Sequence, residues 1–295
     1  MKFADAHLHL FRQGYASRYG AAWANPREVE LYEAFCHVHG IEHGLVVGFE
    51  GKPEFRGNNR DLSAWAKKHS WITPVAFLAD RKTPTQKLFE NWHRLGFAGI
   101  ALYVMNPLQA EQLSNWPNSA FQFLNQHSQI VSINAVPASL EKLQSFLSRL
   151  EQCAVLISHL GLPGPFTKVL SRSETRKVLQ PLRALAKLPQ VGVKLSGLYA
   201  ISEPTHAYPH QSAHSFVAEI FDTFGPRRLY WGSDFSPALE HVSFAQTIDV
   251  FFQFGWSDRD LQKIMHDNLV KVIHRSTGGN PKSECRISKE GRKAN

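Results

Sequence analysis

Two histidines separated by one residue lie in an apolar run near the start of the chain. The run FADAHLHLF covers residues 3–11 and contains His7 and His9. Alternate residues of a strand point to one face, so the pattern predicts that both histidines share a face with Asp5 and lie about 7 Å apart. Two imidazoles on one face can converge on one metal ion or on one substrate molecule. A single His-x-His pair is a weak signal, so its meaning depends on what other strands carry.

The ends of three later predicted strands carry groups with matching chemistry. These groups are His159, Lys194 with Ser196, and Asp234. In a barrel of parallel strands, the active site lies where the strands end. We therefore expect all four residues to meet the histidine pair at one end of the molecule.

Two imidazoles and one carboxylate are a ligand set that suits Zn²⁺ or a similar divalent ion. We predict that His7, His9 and Asp234 bind one such metal, with zinc as the first choice. A metal with an open coordination position activates water for attack on a carbonyl group. Asp234 would take the proton from that water, and His159 would polarise the carbonyl or move the proton. Asp234 and His159 are therefore the predicted catalytic residues.

Several polar residues near the same strand ends are candidates for contact with a substrate. They are Arg12, Tyr103, Asn134, Lys194 and Ser196. Lys194 has a second interpretation, the neutralisation of a buried carboxylate such as Asp5, and Asn134 has a second one as a loop cap. Arg12 opens a segment rich in Gly, Ala, Tyr and Arg, residues 12–26, that follows the first strand and is a candidate substrate loop.

Short apolar runs rich in β-branched residues alternate with longer helical patterns along the chain. The predicted strands are 3–9, 43–49, 72–78, 97–103, 130–135, 154–159, 190–196 and 228–233. Each is followed by a helical pattern, near 27–38, 59–69, 84–95, 117–128, 138–150, 173–187, 211–223, and then 241–254 and 257–274. Eight strand–helix units predict an α/β protein, a single-domain (β/α)₈ TIM barrel. The alternative is an open doubly wound sheet, which is disfavoured because no G-x-G-x-x-G follows the first strand.

The bulk properties are those of a globular protein with a basic balance of charge. The chain has 295 residues, 43% of them hydrophobic, and a formal net charge of +8. Part of that charge lies in residues 276–295, a basic segment with few apolar residues that we expect to be a disordered tail after the domain formed by residues 1–275. The other basic residues are scattered, so a small molecule is a better candidate partner than nucleic acid. We also allow for a homodimer.

The cysteines and the hydropathy indicate where the chain would work. Three widely spaced cysteines predict reduced thiols and a cytoplasmic location. No apolar run reaches the roughly 18 residues that a membrane span needs, so we expect no association with a membrane.

The chemistry-bearing motifs, taken in order, resemble the amidohydrolase superfamily. They are D-A-H-L-H at residues 5–9, S-H-L-G at 158–161, K-L-S-G at 194–197, W-G-S-D-F at 231–235 and M-H-D-N-L at 265–269. The resemblance is strongest to the amidohydrolase-related branch, which holds sugar-acid lactonases, a pyrone-dicarboxylate lactonase and metal-dependent decarboxylases. It implies a TIM barrel centred on His7, His9 and Asp234, with His159 in the place of the family's strand-6 histidine.

Two positions depart from that family pattern. Many members have a histidine at the end of strand 5, where this chain has Asn134, and some lactonases with such a pattern work without a metal. Lactonases of the branch often carry an arginine on strand 4 that grips a carboxylate, and Ala101 stands in its place here. The resemblance therefore leaves the metal open and favours a neutral or monoacidic substrate over a dicarboxylate.

The motifs and the resemblance together favour a hydrolase that opens a lactone or another cyclic ester or amide. Two other functions stay open at this point. One is a metal-dependent decarboxylase on the same scaffold. The other is a barrel without catalytic activity that acts as a binding protein.

Overall fold

Eight parallel strands form one sheet in a computed structural model that describes residues 1–15, 25–79 and 83–278. The strands are β1 (Phe3–Leu8), β2 (Ile41–Val47), β3 (Ile72–Phe77), β4 (Gly99–Val104), β5 (Ile130–Ala135), β6 (Ala154–Ile157), β7 (Val191–Leu195) and β8 (Leu229–Trp231). Each strand pairs in parallel with the next one along the chain. All eight predicted strands are confirmed, and their boundaries differ by a few residues at most.

The sheet closes on itself just beyond β8. The backbone N–H of Asp234 donates to the carbonyl of His7 at 2.8 Å, and Leu8 forms a parallel bridge with Phe235. This closure confirms the (β/α)₈ TIM barrel and rules out the open doubly wound sheet. It also brings the end of β1 next to the residues that follow β8.

Helices separate the strands and cover the outside of the barrel. They are α1 (Glu28–His39), α2 (Asn58–Ala66), α3 (Gln86–Arg94), α4 (Pro107–Leu113), α5 (Asn118–Gln126), α6 (Pro137–Leu140), α7 (Gln144–Ser148), α8 (Arg172–Val178), α9 (Gln180–Ala184), α10 (Leu198–Ile201), α11 (Gln211–Phe224), α12 (Phe244–Asp249), α13 (Asp258–Gln262) and α14 (Asn268–Ser276). Among the described residues, no helix is both long and apolar enough to cross a membrane.

The helix boundaries differ from prediction at several places. The single helices predicted over 138–150, 173–187 and 257–274 each divide into two α-helices, which are α6 and α7, α8 and α9, and α13 and α14. The helices α4 and α10 were not predicted at all. The start of α4 does carry a signal, because Asn106 and Gln109 form a capping box around Pro107 at the first helical position.

A β-bulge in β1 decides which of its side chains enter the barrel. Asp5 pairs with Gly44 and Leu8 pairs with Val46, so three steps along β1 oppose two along β2. Asp5 therefore turns toward α1, where it accepts a hydrogen bond from the Tyr32 hydroxyl at 2.7 Å. The prediction that Asp5 shares a face with His7 is wrong, because the extra residue resets the alternation of the strand.

The described chain continues to the last helix and two residues beyond it. The apolar floor of the barrel includes Leu269 and Ile273 of α14, which belong to the same buried cluster as Ala4 and Ala6 of β1. Of the predicted tail, residues 279–295 lie outside the described residues, as do residues 16–24 of the predicted substrate loop.

Candidate active site

Asp234 lies directly after β8 and turns its carboxylate into the mouth of the barrel. Its Oδ1 atom is 3.6 Å from Nε2 of His7 and 3.9 Å from Nε2 of His9. Its Oδ2 atom accepts a hydrogen bond from the Tyr199 hydroxyl at 2.7 Å. Burial raises the pKa of Asp234 to about 6, although the neighbouring His9 and the Tyr199 hydroxyl favour the ionised form. One oxygen of the carboxylate is thus anchored, and the other faces the two histidines.

His9 is held in one tautomer by the backbone. Its Nδ1 atom lies 2.8 Å from the carbonyl oxygen of Val47. A carbonyl only accepts hydrogen bonds, so Nδ1 carries the proton and Nε2 keeps its lone pair. Burial lowers the pKa of His9 to about 4, which keeps the ring neutral at pH 7. His9 therefore presents a free electron pair toward Asp234.

His7 is fully buried, and its two ring nitrogens have different surroundings. Its Nδ1 atom lies 3.1 Å from Nζ of Lys194 and 3.3 Å from Oγ of Ser158. Its Nε2 atom is buried and has no hydrogen-bond partner among the described residues. Burial and the nearby charge of Lys194 hold the pKa of His7 well below its usual range. The unpartnered Nε2 atom faces the same space as Nε2 of His9.

Lys194 lies in the barrel interior, in contact with His7. Its Nζ atom donates to Oγ of Ser132 at 2.7 Å, and its side chain is completely buried. Burial lowers the pKa of Lys194 to about 7, and the negative charges of Asp5 and Asp234 limit that shift. Lys194 contacts His7 and Ser132. The carboxylate of Asp5 accepts hydrogen bonds from the Tyr32 hydroxyl and from the backbone N–H groups of His7 and of Ser233, which follows β8. Lys194 thus lies in contact with the histidine, and its contact with a substrate stays a prediction.

His159 and Ser196 face each other at the ends of β6 and β7. The Oγ atom of Ser196 is 3.0 Å from Nδ1 of His159, and the ring centroid of His159 is 4.5 Å from that of His7. Burial, followed by the charge of Lys194, lowers the pKa of His159 to about 3. A neutral ring with Nδ1 occupied leaves its Nε2 atom for a substrate. Ser196 thus contacts this histidine, and its contact with a substrate stays a prediction.

Gly197 makes room for the His159 ring. Its φ is +64°, and a Cβ atom at this position would lie 2.6 Å from Nδ1 of His159. Only glycine combines this left-handed backbone with such a close approach. The K-L-S-G motif therefore supplies both a hydrogen-bond partner and the space for the catalytic candidate.

Tyr103 and Asn134 occupy the opposite wall from β7 and β8. They are paired neighbours in the register of β4 and β5. The Tyr103 hydroxyl and the Asn134 Oδ1 atom are both buried and have no hydrogen-bond partner among the described residues. The structure therefore leaves both predicted substrate-binding groups available inside the barrel.

Arg12 is tied to a neighbouring helix. Its guanidinium donates to both carboxylate oxygens of Asp61 on α2, at 2.9 Å from Nε and 2.6 Å from Nη2. A bidentate pair of this kind fixes the planar group. Arg12 thus holds the segment after β1 against α2, and its contact with a substrate stays a prediction.

Two residues around the site were not predicted from the sequence. Tyr199, which anchors Asp234, stacks on the His241 ring with 4.4 Å between centroids. Glu28 of α1 accepts hydrogen bonds from the backbone N–H groups of Phe11 and Tyr15 and from the Ser236 hydroxyl. Glutamate is common at the start of a helix, so Glu28 carries no signal in the sequence, and Tyr199 is 35 positions from its partner. Only the fold shows these contacts.

The residues at the centre fit a divalent metal ion. Among the described residues, one group of three or more His, Cys, Asp or Glu side chains has ligand atoms that all lie within 4.8 Å of one another. It consists of His7, His9 and Asp234. The buried Nε2 atom of His7 lacks any other partner, and the tautomer of His9 frees its Nε2 atom. Two neutral imidazoles and a carboxylate match the donors that zinc takes in catalytic sites.

Comparison with known proteins identifies the class of protein that carries this site. The family model described as Amidohydrolase matches residues 4–274. The chain therefore belongs to the amidohydrolase family, which confirms the resemblance seen in the motifs.

A curated relative adds detail for part of the chain. An L-fucono-1,5-lactonase from Burkholderia ambifaria is 36% identical over 101 residues, which cover 33% of this chain and 31% of the relative. The match thus spans about a third of the length of the curated relative.

Solved structures with low sequence identity share the fold. A Pseudomonas putida protein, provisionally assigned as a 2-pyrone-4,6-dicarboxylic acid hydrolase, is 22% identical, with a TM-score of 0.68 over 93% of this chain and 98% of that one. A Burkholderia multivorans amidohydrolase with bound zinc is 17% identical, with a TM-score of 0.74 over 92% of this chain and 99% of that one.

Proposed function

We propose that this protein is a hydrolase that opens a lactone, or another cyclic ester or amide, of a small molecule. The observation that carries the proposal is the arrangement of Asp234, with Oδ2 anchored by Tyr199 and Oδ1 directed at Nε2 of His7 and His9. Membership of the amidohydrolase family and the partial match to an L-fucono-1,5-lactonase support the same reaction class.

Asp234 would act as the general base through its Oδ1 atom. The proton of an attacking water passes to Oδ1 while the water oxygen forms a bond to the substrate carbonyl carbon. Oδ2 already accepts a hydrogen bond from Tyr199, which makes Oδ1 the better acceptor for the proton. The same proton can then return to the ring oxygen as the bond between carbonyl carbon and ring oxygen breaks, which yields a hydroxy acid.

His159 would bind the carbonyl oxygen of the substrate. Its Nδ1 atom faces the Ser196 hydroxyl, and burial keeps the ring neutral. In the tautomer that this role requires, Ser196 donates to Nδ1 and the proton is on Nε2. An N–H group aimed at the carbonyl stabilises the negative charge that develops on its oxygen. His159 thus complements Asp234 from the neighbouring side of the pocket.

A divalent ion, for which zinc is our choice, would be held by His7, His9 and Asp234. When bound, it supplies Lewis-acid activation of the water and of the carbonyl. His9 is already in the tautomer that such binding needs. His7 needs its proton on Nδ1, where Ser158 Oγ and the amine of Lys194 in its neutral form are acceptors within reach.

Turnover of lactones by the wild type and by Asp234→Asn tests this proposal. The wild type should hydrolyse L-fucono-1,5-lactone in a pH-indicator assay, and the variant should lose at least a hundredfold in kcat because it has no base. Asp222→Asn, which changes an exposed aspartate, is the matched control. Each protein is first dialysed against a chelator and is then assayed both without added metal and after zinc has been restored. Full activity of Asp234→Asn, or no hydrolysis by the wild type across a panel of lactones, esters and amides, contradicts the proposal.

A further inference from the structure

Two buried polar atoms inside the barrel have no explanation in the proposed chemistry. They are the hydroxyl of Tyr103 and Oδ1 of Asn134, and neither has a hydrogen-bond partner among the described residues. A buried polar atom without a partner is unfavourable, and folded proteins keep few unless water or a ligand satisfies them. The two atoms therefore indicate a hydrogen-bond partner that the described residues do not supply, such as a ligand or water.

The two side chains stand side by side and point into the barrel. Tyr103 of β4 pairs in register with Asn134 of β5, so both lie at one level. Two residues earlier, Ala101 belongs to the interior cluster and Ser132 accepts a hydrogen bond from the buried Lys194. Alternation along the strands places Tyr103 and Asn134 on this same inner face, one step nearer the mouth.

The Tyr103 hydroxyl interacts electrostatically with Asp234, and its ring is held by packing. The negative charge of Asp234 adds to burial in raising the pKa of Tyr103, which keeps the phenol protonated as a hydrogen-bond donor. The rings of Phe49 and Phe77 pack against it, with centroids at 4.8 and 5.7 Å. A packed ring holds its hydroxyl ready for a ligand, and this lowers the entropy lost on binding.

A neighbouring donor and acceptor match the chemistry of an alcohol. A hydroxyl group can accept from Tyr103 and donate to Asn134 Oδ1 at the same time. A carboxylate only accepts hydrogen bonds, so it would leave Oδ1 of Asn134 unpaired and oppose it with like charge. A ring CH₂ group would leave both atoms unpaired.

We infer that Tyr103 and Asn134 form a hydroxyl-recognition subsite that selects polyhydroxylated lactones over unsubstituted lactones and over carboxylate-bearing ones. The inference rests on the proposed lactone hydrolysis for its effect on turnover. Tyr103 and Asn134 are specificity-determining residues in this view, and the water is activated elsewhere, at Asp234.

Turnover of two lactones that differ in their hydroxyl groups tests the inference. The probes are L-fucono-1,5-lactone and δ-valerolactone, which has the same ring size and no hydroxyl. Tyr103→Phe and Asn134→Leu should each lower kcat/KM about tenfold or more for the first and leave the second within twofold. Tyr199→Phe is the matched control, since it acts through Asp234 and should slow both substrates equally. An equal loss on both lactones in Tyr103→Phe and Asn134→Leu overturns the inference, while hydrolysis itself stands.

Binding of rings that cannot react separates this inference from the proposed function. Calorimetric titration with 1,5-anhydro-L-fucitol should show binding that weakens about tenfold in Tyr103→Phe and in Asn134→Leu. Tetrahydropyran and tetrahydropyran-4-carboxylate should bind more weakly than the polyol. Tighter binding of either, or polyol binding unchanged in both variants, refutes the hydroxyl subsite even if the wild type hydrolyses no lactone at all.

Discussion

At the scale of single residues, the site is organised around the two oxygens of one carboxylate. Oδ2 of Asp234 accepts a hydrogen bond from the Tyr199 hydroxyl, and Oδ1 faces Nε2 of His7 and of His9. Its backbone has a positive φ of 57°, which is unfavourable for a residue with a side chain. This backbone conformation already directs the side chain of Asp234, and the hydrogen bond from Tyr199 then fixes the rotamer of the carboxylate.

Removal of the Tyr199 hydroxyl should lower the rate and leave substrate binding alone. Tyr199→Phe frees Oδ2, so the carboxylate can rotate away from its productive orientation. A hydrogen bond to a charged group is worth about 1.5–3 kcal/mol, so we expect kcat to fall roughly ten- to hundredfold. KM should stay within about twofold, because Tyr199 acts on Asp234 rather than on the substrate. Steady-state kinetics on L-fucono-1,5-lactone give both constants.

Tyr208→Phe is the control for this variant, since the Tyr208 hydroxyl only accepts a hydrogen bond from Gln253 at the exposed surface. It should match the wild type in both constants. A rise in KM without a change in kcat for Tyr199→Phe would show that Tyr199 contacts the substrate directly.

At the scale of elements, the K-L-S-G segment after β7 shows how a backbone conformation makes a site. Gly197 has a φ of +64°, and its missing side chain leaves the space that the His159 ring fills. The neighbouring Ser196 holds that ring through its hydroxyl. The segment therefore positions His159 from two adjacent residues.

A methyl group at position 197 should harm activity more than stability. Gly197→Ala puts Cβ against His159 and imposes a left-handed backbone on alanine, which costs about 1–2 kcal/mol. We expect that loss in the free energy of unfolding, measured by urea denaturation, and at least a tenfold fall in kcat/KM. Gly255→Ala is the matched control, because Gly255 has a φ of +66° and no atom within 4 Å of the Cβ position. Equal activity in the two variants would contradict a positioning role for Gly197.

The sequence was sufficient for the eight strands and for the polar residues that follow them, but not for every helix. Eight strands could be predicted because buried parallel strands are short apolar runs, and the groups at their ends follow from where a barrel keeps its site. The bulge in β1 was not predicted, because an extra residue in one strand is defined only by its partner. Asp5 was misplaced for this reason, and Tyr199 was missed because its bond to Asp234 joins α10 to the segment after β8, 35 positions further along the chain.

At the scale of the whole molecule, one buried carboxylate joins the first loop of the barrel to the last. Glu28 lies at the start of α1 and accepts from Phe11 N at 2.6 Å and from Tyr15 N at 2.8 Å, both in the segment after β1. It also accepts from Ser236 Oγ at 2.5 Å, in the segment after β8. These two segments carry His9 and Asp234 near their starts, so Glu28 supports the site from behind at the closure of the barrel.

The stability of the molecule should depend on pH through Glu28. Burial raises the pKa of Glu28 in the folded protein from 4.5 to about 7. Between these values the folded state binds a proton that the unfolded state does not, so this group makes the free energy of unfolding fall as pH rises from 4.5 to 7. A shift of this size corresponds to about 3 kcal/mol. Glu28→Gln lacks the proton and should lack this part of the pH dependence.

Urea denaturation of the wild type and of Glu28→Gln at several pH values measures the effect as a difference, which cancels the other titrating groups. The wild type should lose stability relative to the variant by about 3 kcal/mol between pH 4.5 and pH 7. Glu30→Gln removes an exposed charge from the same helix and should run parallel to the wild type across that range. A difference between wild type and Glu28→Gln that stays constant with pH would mean that Glu28 keeps its ordinary affinity for protons in the folded protein. In that case the two backbone donors and the Ser236 hydroxyl would offset the cost of burying the anion, and Glu28 would contribute nothing to the change of stability with pH.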